Sequence, residues 1–307
     1  MTTDDGGSFG VAFPGQGNKR PAVIEALRTH QAHPVVAAFL DRFGDDPEAL
    51  DLNDTTIAQP ATYAAGIAAA QATYGERPAV PLVIGHSLGE LTAAACAGVI
   101  DVWDGFRLAV RRGEVSREHG RPGVMIAIMG ARGPAIEWLR RNAIARTGGV
   151  LEVAGFNGSR QTVLTGDRPT VDAAKVLAGT MELLAEVLPI GGSFHSPLLA
   201  DALPHWRTEV ESVPFARPCS AYVSTADAQV HEDPEEIREL LIRALLLPVR
   251  WTDAVHTVRA AGIRQLYDAG PGNGLTKLGR REGVVRFAPL PAPAKADRVE
   301  AAVEALT

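Results

Sequence analysis

The stretch Val80-Pro81-Leu82-Val83-Ile84-Gly85-His86-Ser87-Leu88-Gly89 decides how this chain folds. Its first five residues are a short, mostly apolar run that reads as a compact strand. Gly85 to Gly89 fit the pattern G-x-S-x-G, and Leu88 to Ile100 continues as an Ala-rich helix. The pattern needs these residue types. The serine occupies a strained turn between strand and helix, and the glycines let one backbone pass close to another. The hydroxyl then sits at a helix N-terminus, where free N–H groups and the helix dipole favour developing negative charge. Five loosely specified positions recur by chance, so the motif alone is weak. The strand before it and the helix after it make Ser87 a candidate nucleophile instead of a structural serine.

Outward from this turn, Val11-Ala12-Phe13 reads as a first strand running into Pro14-Gly15-Gln16-Gly17, and Gln59 to Tyr74 as a buried helix. Strands alternating with helical patterns predict an α/β fold. The middle of the chain has another rhythm. Gly123 to Met129 reads as a strand and Pro134 to Ile144 as a helix. Leu151 to Gly155 and Gln161 to Leu164 read as two strands joined at Asn157-Gly158-Ser159. Thr170 to Leu177 then reads as a helix and Met181 to Leu188 as a strand. This β-α-β-β-α-β order predicts a ferredoxin-like subdomain over 123–189. It would interrupt a larger domain made of 1–122 and 190–307, which resumes with a helix after Pro197 and ends near Phe287. A proline-rich exit from Ala288 to Pro293 and a last helix, Ala296 to Leu306, complete the expected layout.

Composition narrows the class. Apolar residues make up 46% and charged residues 21% of 307 positions, ordinary for a folded globular chain. A formal net charge of −6 argues against a nucleic-acid binder. The acidic, polar start is unlike a signal peptide, and no apolar run is long enough for a bilayer, so a cytoplasmic, non-membrane protein is expected. Cys96 and Cys219 both read as packing residues, not as a disulfide.

A serine hydroxyl is a poor nucleophile until a base takes its proton. Among eight histidines, His86 reads as a packing residue, and His30 and His33 as residues of an exposed helix end. His195 stands in the glycine-rich loop Gly191-Gly192-Ser193-Phe194-His195-Ser196-Pro197, which leads into a helix, and is the candidate base. An ordinary Ser-His-Asp esterase would need an acid such as Asp167 or Asp172, and both fall in the inserted subdomain.

These residues carry a recognisable pattern. The chain resembles the malonyl-CoA:acyl-carrier-protein transacylases of fatty-acid synthesis and the acyltransferases of polyketide synthases. The matches include Phe13-Pro14-Gly15-Gln16-Gly17, Gln59-Pro60-Ala61, Gly85 to Glu90, Arg112-Gly113 and Phe156-Asn157 with Gln161. They continue through Phe194 to Pro197, Tyr222-Val223-Ser224, Pro248-Val249-Arg250-Trp251 and Gly270-Pro271-Gly272. The resemblance implies an α/β-hydrolase-like domain with an inserted ferredoxin-like one. It implies a Ser87–His195 dyad whose histidine is oriented by backbone carbonyls, and an oxyanion held by the amides of Gln16 and Leu88. It implies that Arg112 pairs with the free carboxylate of a malonyl-type substrate, with Phe194 beside the base. No permanently bound cofactor and no metal are implied; coenzyme A thioester and phosphopantetheine enter as substrate parts.

The resemblance implies an acyl carrier protein as partner, acidic and docking near the cleft mouth. Lys19, Arg20, Arg117, Arg160, Lys277, Arg280 and Arg281 are the basic candidates there. The chain also departs from its family. Ser116-Arg117 stand where a Met-Gln pair is usual, and read as residues near the acyl pocket. Ala244, in an apolar run, stands where a polar residue often supports the histidine. Asn18-Lys19-Arg20 replace the usual Ser-Gln. Transfer of a malonyl-type unit from coenzyme A to a carrier protein is the leading expectation. The alternatives are a specialised transferase moving a larger acyl or aminoacyl group between two carrier proteins, and an editing hydrolase.

Overall fold

The computed structural model describes residues 8–76 and 80–291. The chain begins with β1 (Phe9–Phe13), α1 (Arg20–Thr29), α2 (Pro34–Phe43), α3 (Thr55–Tyr74), β2 (Leu82–Gly85), α4 (Gly89–Cys96) and α5 (Val102–His119). It continues through β3 (Val124–Met129), α6 (Pro134–Thr147), β4 (Leu151–Gly158), β5 (Gln161–Gly166), α7 (Arg168–Thr180) and β6 (Leu184–Val187). After a short 3-10 turn at Pro197–Ala202 come α8 (Leu203–Glu211), β7 (Ala221–Val223), β8 (Val230–His231) and α9 (Pro234–Arg243). The last are α10 (Trp251–Ala260), β9 (Gln265–Asp268), α11 (Gly274–Glu282) and β10 (Arg286–Pro289).

Two sheets result. The larger has the order β10-β9-β1-β2-β7-β8 and is parallel except for the short edge strand β8. Its central strand β1 is buried from Gly10 to Phe13, as a parallel strand covered on both faces must be. The smaller sheet is antiparallel with the order β4-β5-β3-β6, and α6 and α7 pack together over it around Ile126, Ile128, Leu139, Leu164 and Val171. Its element order is the β-α-β-β-α-β read from the sequence, with β6 shortened because α7 runs on to Thr180.

Two expectations need correction here. The proline-rich exit starts later than expected, because Ala288 and Pro289 still pair with Tyr267 and Asp268 along the sheet edge, where a proline is tolerated. Cys219 is exposed and donates to the Ala97 carbonyl, whereas Cys96 is buried; both are free thiols. The expected helix from Ala296 to Leu306 lies outside the described residues. Among the described residues no helix is long and apolar enough to cross a membrane.

The turn that opens α4 depends on two glycines. A Cβ on Gly89 would lie 2.1 Å from the Phe13 carbonyl oxygen, and one on Gly85 would lie 2.2 Å from the backbone of Gly89 and Glu90. The helix start is thereby wedged against β1, and His86 donates its amide to the Phe13 carbonyl at 2.8 Å. Gly89→Ala is expected to lose about 3 kcal/mol of stability, the upper range for overpacking a rigid site. A shift in the denaturant midpoint with unchanged slope checks this.

Candidate active site

Ser87 and His195 arrive from loops far apart in sequence, and both have left-handed backbones, φ 55° and 60°. Such conformations are uncommon for residues with a side chain and gather at functional sites. The turn after β2 holds Ser87, and Ser87 Oγ lies 2.7 Å from His195 Nε2. On the far side of the ring, His195 Nδ1 lies 2.8 Å from the Leu247 carbonyl, which fixes the tautomer with its proton on Nδ1. Nε2 is then the free acceptor facing the serine hydroxyl. The His195 backbone is held too, its amide donating to the Leu245 carbonyl at 3.1 Å. The orienting carbonyl is thus that of Leu247, not of Ala244, whose carbonyl is only a lesser influence on the ring. Loss of a polar side chain at Ala244 leaves this support intact because a main-chain oxygen supplies it.

Leu247 is itself anchored by the smaller sheet. Two residues on, Val249 donates to the Ala154 carbonyl and accepts from the Phe156 amide, each at 2.9 Å, forming a parallel bridge to β4. Thr252 Oγ1 adds a bond to the Phe156 carbonyl. Gly155 permits this approach, since a Cβ there would already press Val249 at 3.3 Å. His86, read from the sequence as a packing residue, packs against Trp251 but also lines the cavity, with Nε2 2.8 Å from Asn157 Oδ1. The two sheets therefore meet at the site through both backbone and side chains.

Ser87, His195, Gln16, His86, Arg112, Asn157 and Phe194 line one cavity of about 150 Å³ between the sheets. Among the described residues, the amides of Leu88 and Gln16 donate no hydrogen bond. They are therefore available to an oxygen beside Ser87. Arg112, on α5, is 4% exposed. Its Nη1 donates to Gln59 Oε1 at 2.9 Å, Gln59 Nε2 to Thr55 Oγ1 at 2.8 Å, and Thr55 Oγ1 to Gln16 Oε1 at 2.8 Å. The guanidinium also lies 5.5 Å from the Phe194 ring centre. Among the described residues no carboxylate pairs with it directly. A buried cation with one hydrogen-bonded donor out of five is a strong candidate anion receptor. Gln59 and Thr55 carry this chain of bonds and had no role in the sequence reading, where Gln59 appeared only as a matched residue.

Ser116 and Arg117 are not brought to the cavity. Ser116 Oγ donates back to the Arg112 carbonyl at 2.6 Å, and Arg117 pairs with Asp54 at 3.0 Å on the surface. Ser116 lies on the same face of α5 as Arg112 but one turn farther along, buried with its hydroxyl on the Arg112 carbonyl, and Arg117 is rotated off that face to the surface. Glu90 is a further residue the sequence reading left without a role. It is fully buried at the start of α4 and accepts from the Thr225 amide at 2.6 Å, with the hydroxyls of Thr225, Ser224 and Tyr222 around it. It ties α4 to the end of β7. Among the described residues no group of His, Cys, Asp and Glu is arranged to hold a metal ion.

Burial, and after it the charge of Arg112, hold the His195 imidazole down at about 3, against an ordinary 6.5. In the unfolded chain the ring takes up a proton near its ordinary value, so the unfolded state binds more protons below it. Stability from this site is complete above pH 6.5 and falls as the pH drops toward 3. Between about pH 6 and about pH 4 the unfolding free energy should drop more steeply in the parent protein than in His195→Gln, by about 1.4 kcal/mol per pH unit. Urea titrations at stepped pH measure the difference, and parallel slopes would contradict the buried neutral ring.

Comparison with known proteins agrees with this architecture. Residues 23–279 match the family described as the acyl transferase domain. The chain is 32% identical over 292 residues to the malonyl CoA-acyl carrier protein transacylase of Salmonella typhimurium, covering 89% of this chain and 92% of that one. The crystal structure of an acyl-carrier-protein S-malonyltransferase from Burkholderia pseudomallei superposes with a TM-score of 0.81 at 30% identity, covering 95% of this chain and 99% of that one. A malonyl-transacylase solved in complex with its type II polyketide acyl-carrier protein superposes at 0.80 with 28% identity, over 97% and 99% of the two chains. With the match to the domain family running through most of its length, the chain belongs to the acyl transferase family and is an acyltransferase.

Proposed function

We propose that the protein moves a malonyl-type acyl unit from coenzyme A to an acyl carrier protein through an ester on Ser87. The observation that carries this reading is the Ser87–His195–Leu247 relay standing beside a buried arginine without a carboxylate partner among the described residues. His195 takes the proton of Ser87 as Oγ attacks the thioester carbon. The carbonyl oxygen, now negative, receives the amides of Leu88 and Gln16, each donor of this kind being worth about 3 kcal/mol. The carbon–sulfur bond breaks, and the leaving thiolate takes the proton from His195. A carrier-protein thiol then attacks the ester while His195 receives its proton, and Ser87 recovers that proton as the ester breaks.

Arg112 would receive the free carboxylate of the acyl unit through its planar fork. That pairing also acts on the base. The charge of Arg112 is one of the forces depressing His195, so a carboxylate that neutralises it raises the basicity of the imidazole when a proton must be accepted. The names of the relatives support the same donor and acceptor classes. A cavity of about 150 Å³ suits a unit of a few heavy atoms, below the roughly 300 Å³ at which sites for drug-sized ligands begin. It offers little room for the larger acyl group of a specialised transferase.

Intact-mass measurement after mixing with malonyl-CoA should show one malonyl group on the chain and none on Ser87→Ala. Labelling only by acyl-loaded carrier proteins, with coenzyme A esters ignored, would overturn the reading. Arg112→Ala should lower kcat/KM for malonyl-CoA by about 100-fold or more, the consequence of deleting a buried partner of a charge. Acetyl-CoA, which has no carboxylate, should lose far less, and equal losses on the two donors would remove Arg112 from substrate recognition.

A further inference from the structure

Asn18 stands in the loop between β1 and α1, and its Nδ2 donates to the Gly15 carbonyl at 2.9 Å. We propose that Asn18 is a positioning residue for acyl transfer: by holding that carbonyl, it aims the Gln16 amide at the oxygen that becomes negative beside Ser87. The inference rests on the acyl-transfer reading above, in which Gln16 supplies one of two oxyanion donors. Asn18, a departure from the family pattern in the sequence, thereby acquires a role.

Planarity of the peptide bond joins the two groups. The Gly15 carbonyl and the Gln16 N–H belong to one rigid unit and point in opposite directions. Whatever holds the oxygen therefore sets the direction of the N–H. Among the described residues, Asn18 is the only donor to this oxygen, and the Gln16 amide donates no hydrogen bond. One end of the unit is anchored and the other is open. The unit itself lies beside the nucleophile. A Cβ on Gly15 would stand 2.9 Å from the His86 carbonyl oxygen and 3.3 Å from Ser87 Cβ, and Gln16 lines the cavity with Ser87.

The loop would otherwise turn this peptide over easily. Glycines flank Gln16 on both sides, and Gly17 already has φ 94°. Rotation of a peptide unit is shared between ψ of the residue before it and φ of the residue after it, and a glycine at the first place offers little resistance. The bond from Thr55 Oγ1 to Gln16 Oε1 holds the side chain, not the peptide unit. Asn18 is confined in its turn. A Cβ on Gly274, at the start of α11, would stand 3.4 Å from Asn18 Oδ1, so that helix closes in behind the carboxamide. A donor on the carbonyl also polarises the peptide and strengthens its N–H. Asparagine suits the task where an ionised aspartate does not, because the atom facing a carbonyl oxygen must carry a hydrogen.

The test compares the intact protein with Asn18→Ala and Asn18→Asp, using malonyl-CoA and p-nitrophenyl acetate as acyl donors. Quenched-flow mass measurement, counting only the acyl mass absent from Ser87→Ala, gives the acylation rate and the half-saturating concentration. The nitrophenyl ester reads the oxyanion donors without the specificity for the acyl unit. Both substitutions should slow acylation by either donor by about tenfold or more, part of the roughly hundredfold or larger loss on deleting an oxyanion donor. The half-saturating concentration of malonyl-CoA should stay within about twofold. In Asn18→Asp alone the deficit should shrink from about pH 7 to about pH 5, as a protonated carboxyl again offers a hydrogen to the Gly15 carbonyl. His195, held at about 3, stays neutral across that range. In the isotope-edited infrared spectrum of the acyl-Ser87 form, the ester carbonyl of Asn18→Ala should stretch at higher frequency than that of the parent, having lost an aligned donor. An unchanged rate in both variants, a slower rate with an unchanged carbonyl stretch, or a loss confined to the half-saturating concentration would each overturn the assignment. If one variant does not fold, the other decides. Acylation of the parent by the nitrophenyl ester with malonyl-CoA ignored would sink the malonyl reading and leave Asn18 to be judged on the ester rates. A parent inert to both donors would sink both.

Discussion

The close passage of the Gly89 backbone over the Phe13 carbonyl is the constraint on which the site depends. Nothing larger than glycine fits at Gly85 or Gly89, so the chain can reverse from β2 into α4 within a few residues. That reversal forces Ser87 into a left-handed backbone and lifts its hydroxyl out at the helix start. The same approach brings β1, and with it the turn carrying Gln16, alongside the serine. Gln16 thereby lines the small cavity with Ser87, and the amides of Gln16 and Leu88 donate no hydrogen bond among the described residues. The Glu90 network at the first turn of α4 then ties this helix to the neighbouring strand end, where a carboxylate also suits the helix dipole.

The electrostatics of the cavity follow from the burial of Arg112 and His195. Arg112 and His195 are both buried, so neither can be screened by solvent, and a charge on one is felt by the other. The protein keeps the cation and leaves the imidazole neutral. In the proposed reaction a substrate carboxylate would change that balance from within, joining recognition of the acyl unit to the strength of the base. The bonds from Arg112 through Gln59 and Thr55 to Gln16 make the guanidinium and the Gln16 turn parts of one rigid assembly. In the proposed reaction a carboxylate seated on the arginine would therefore be held at a fixed distance from the amides beside Ser87.

The smaller sheet is more than a wall. Its strand β4 is hydrogen-bonded to Val249 two residues beyond the carbonyl that orients His195, and its Asn157 holds His86 beside the serine. A shift of β4 would move the Leu247 carbonyl, and with it the ring. The geometry of the Ser87–His195 pair thus depends on contacts between two sheets separated by a long stretch of chain.

The sequence by itself was enough for the alternation of strands and helices, the interrupting β-α-β-β-α-β order, the glycine turn around Ser87 and the choice of His195. Those features are local: periodicity and glycine placement are set within a dozen residues, and a dense series of ordered motifs tied them to a family. Arg112 was legible as a motif residue but not as a buried cation, because its isolation arises from α3 packing across α5. Leu247 could not be read, since an orienting group that is a backbone carbonyl leaves no mark in residue identity. Ser116 and Arg117 were drawn to the cavity by their neighbour Arg112, yet Ser116 lies one turn farther along the same face of α5 and Arg117 is rotated to the surface. The link from Val249 to β4 does not exist below the tertiary level either, because it depends on segments far apart in the chain being brought within bonding reach.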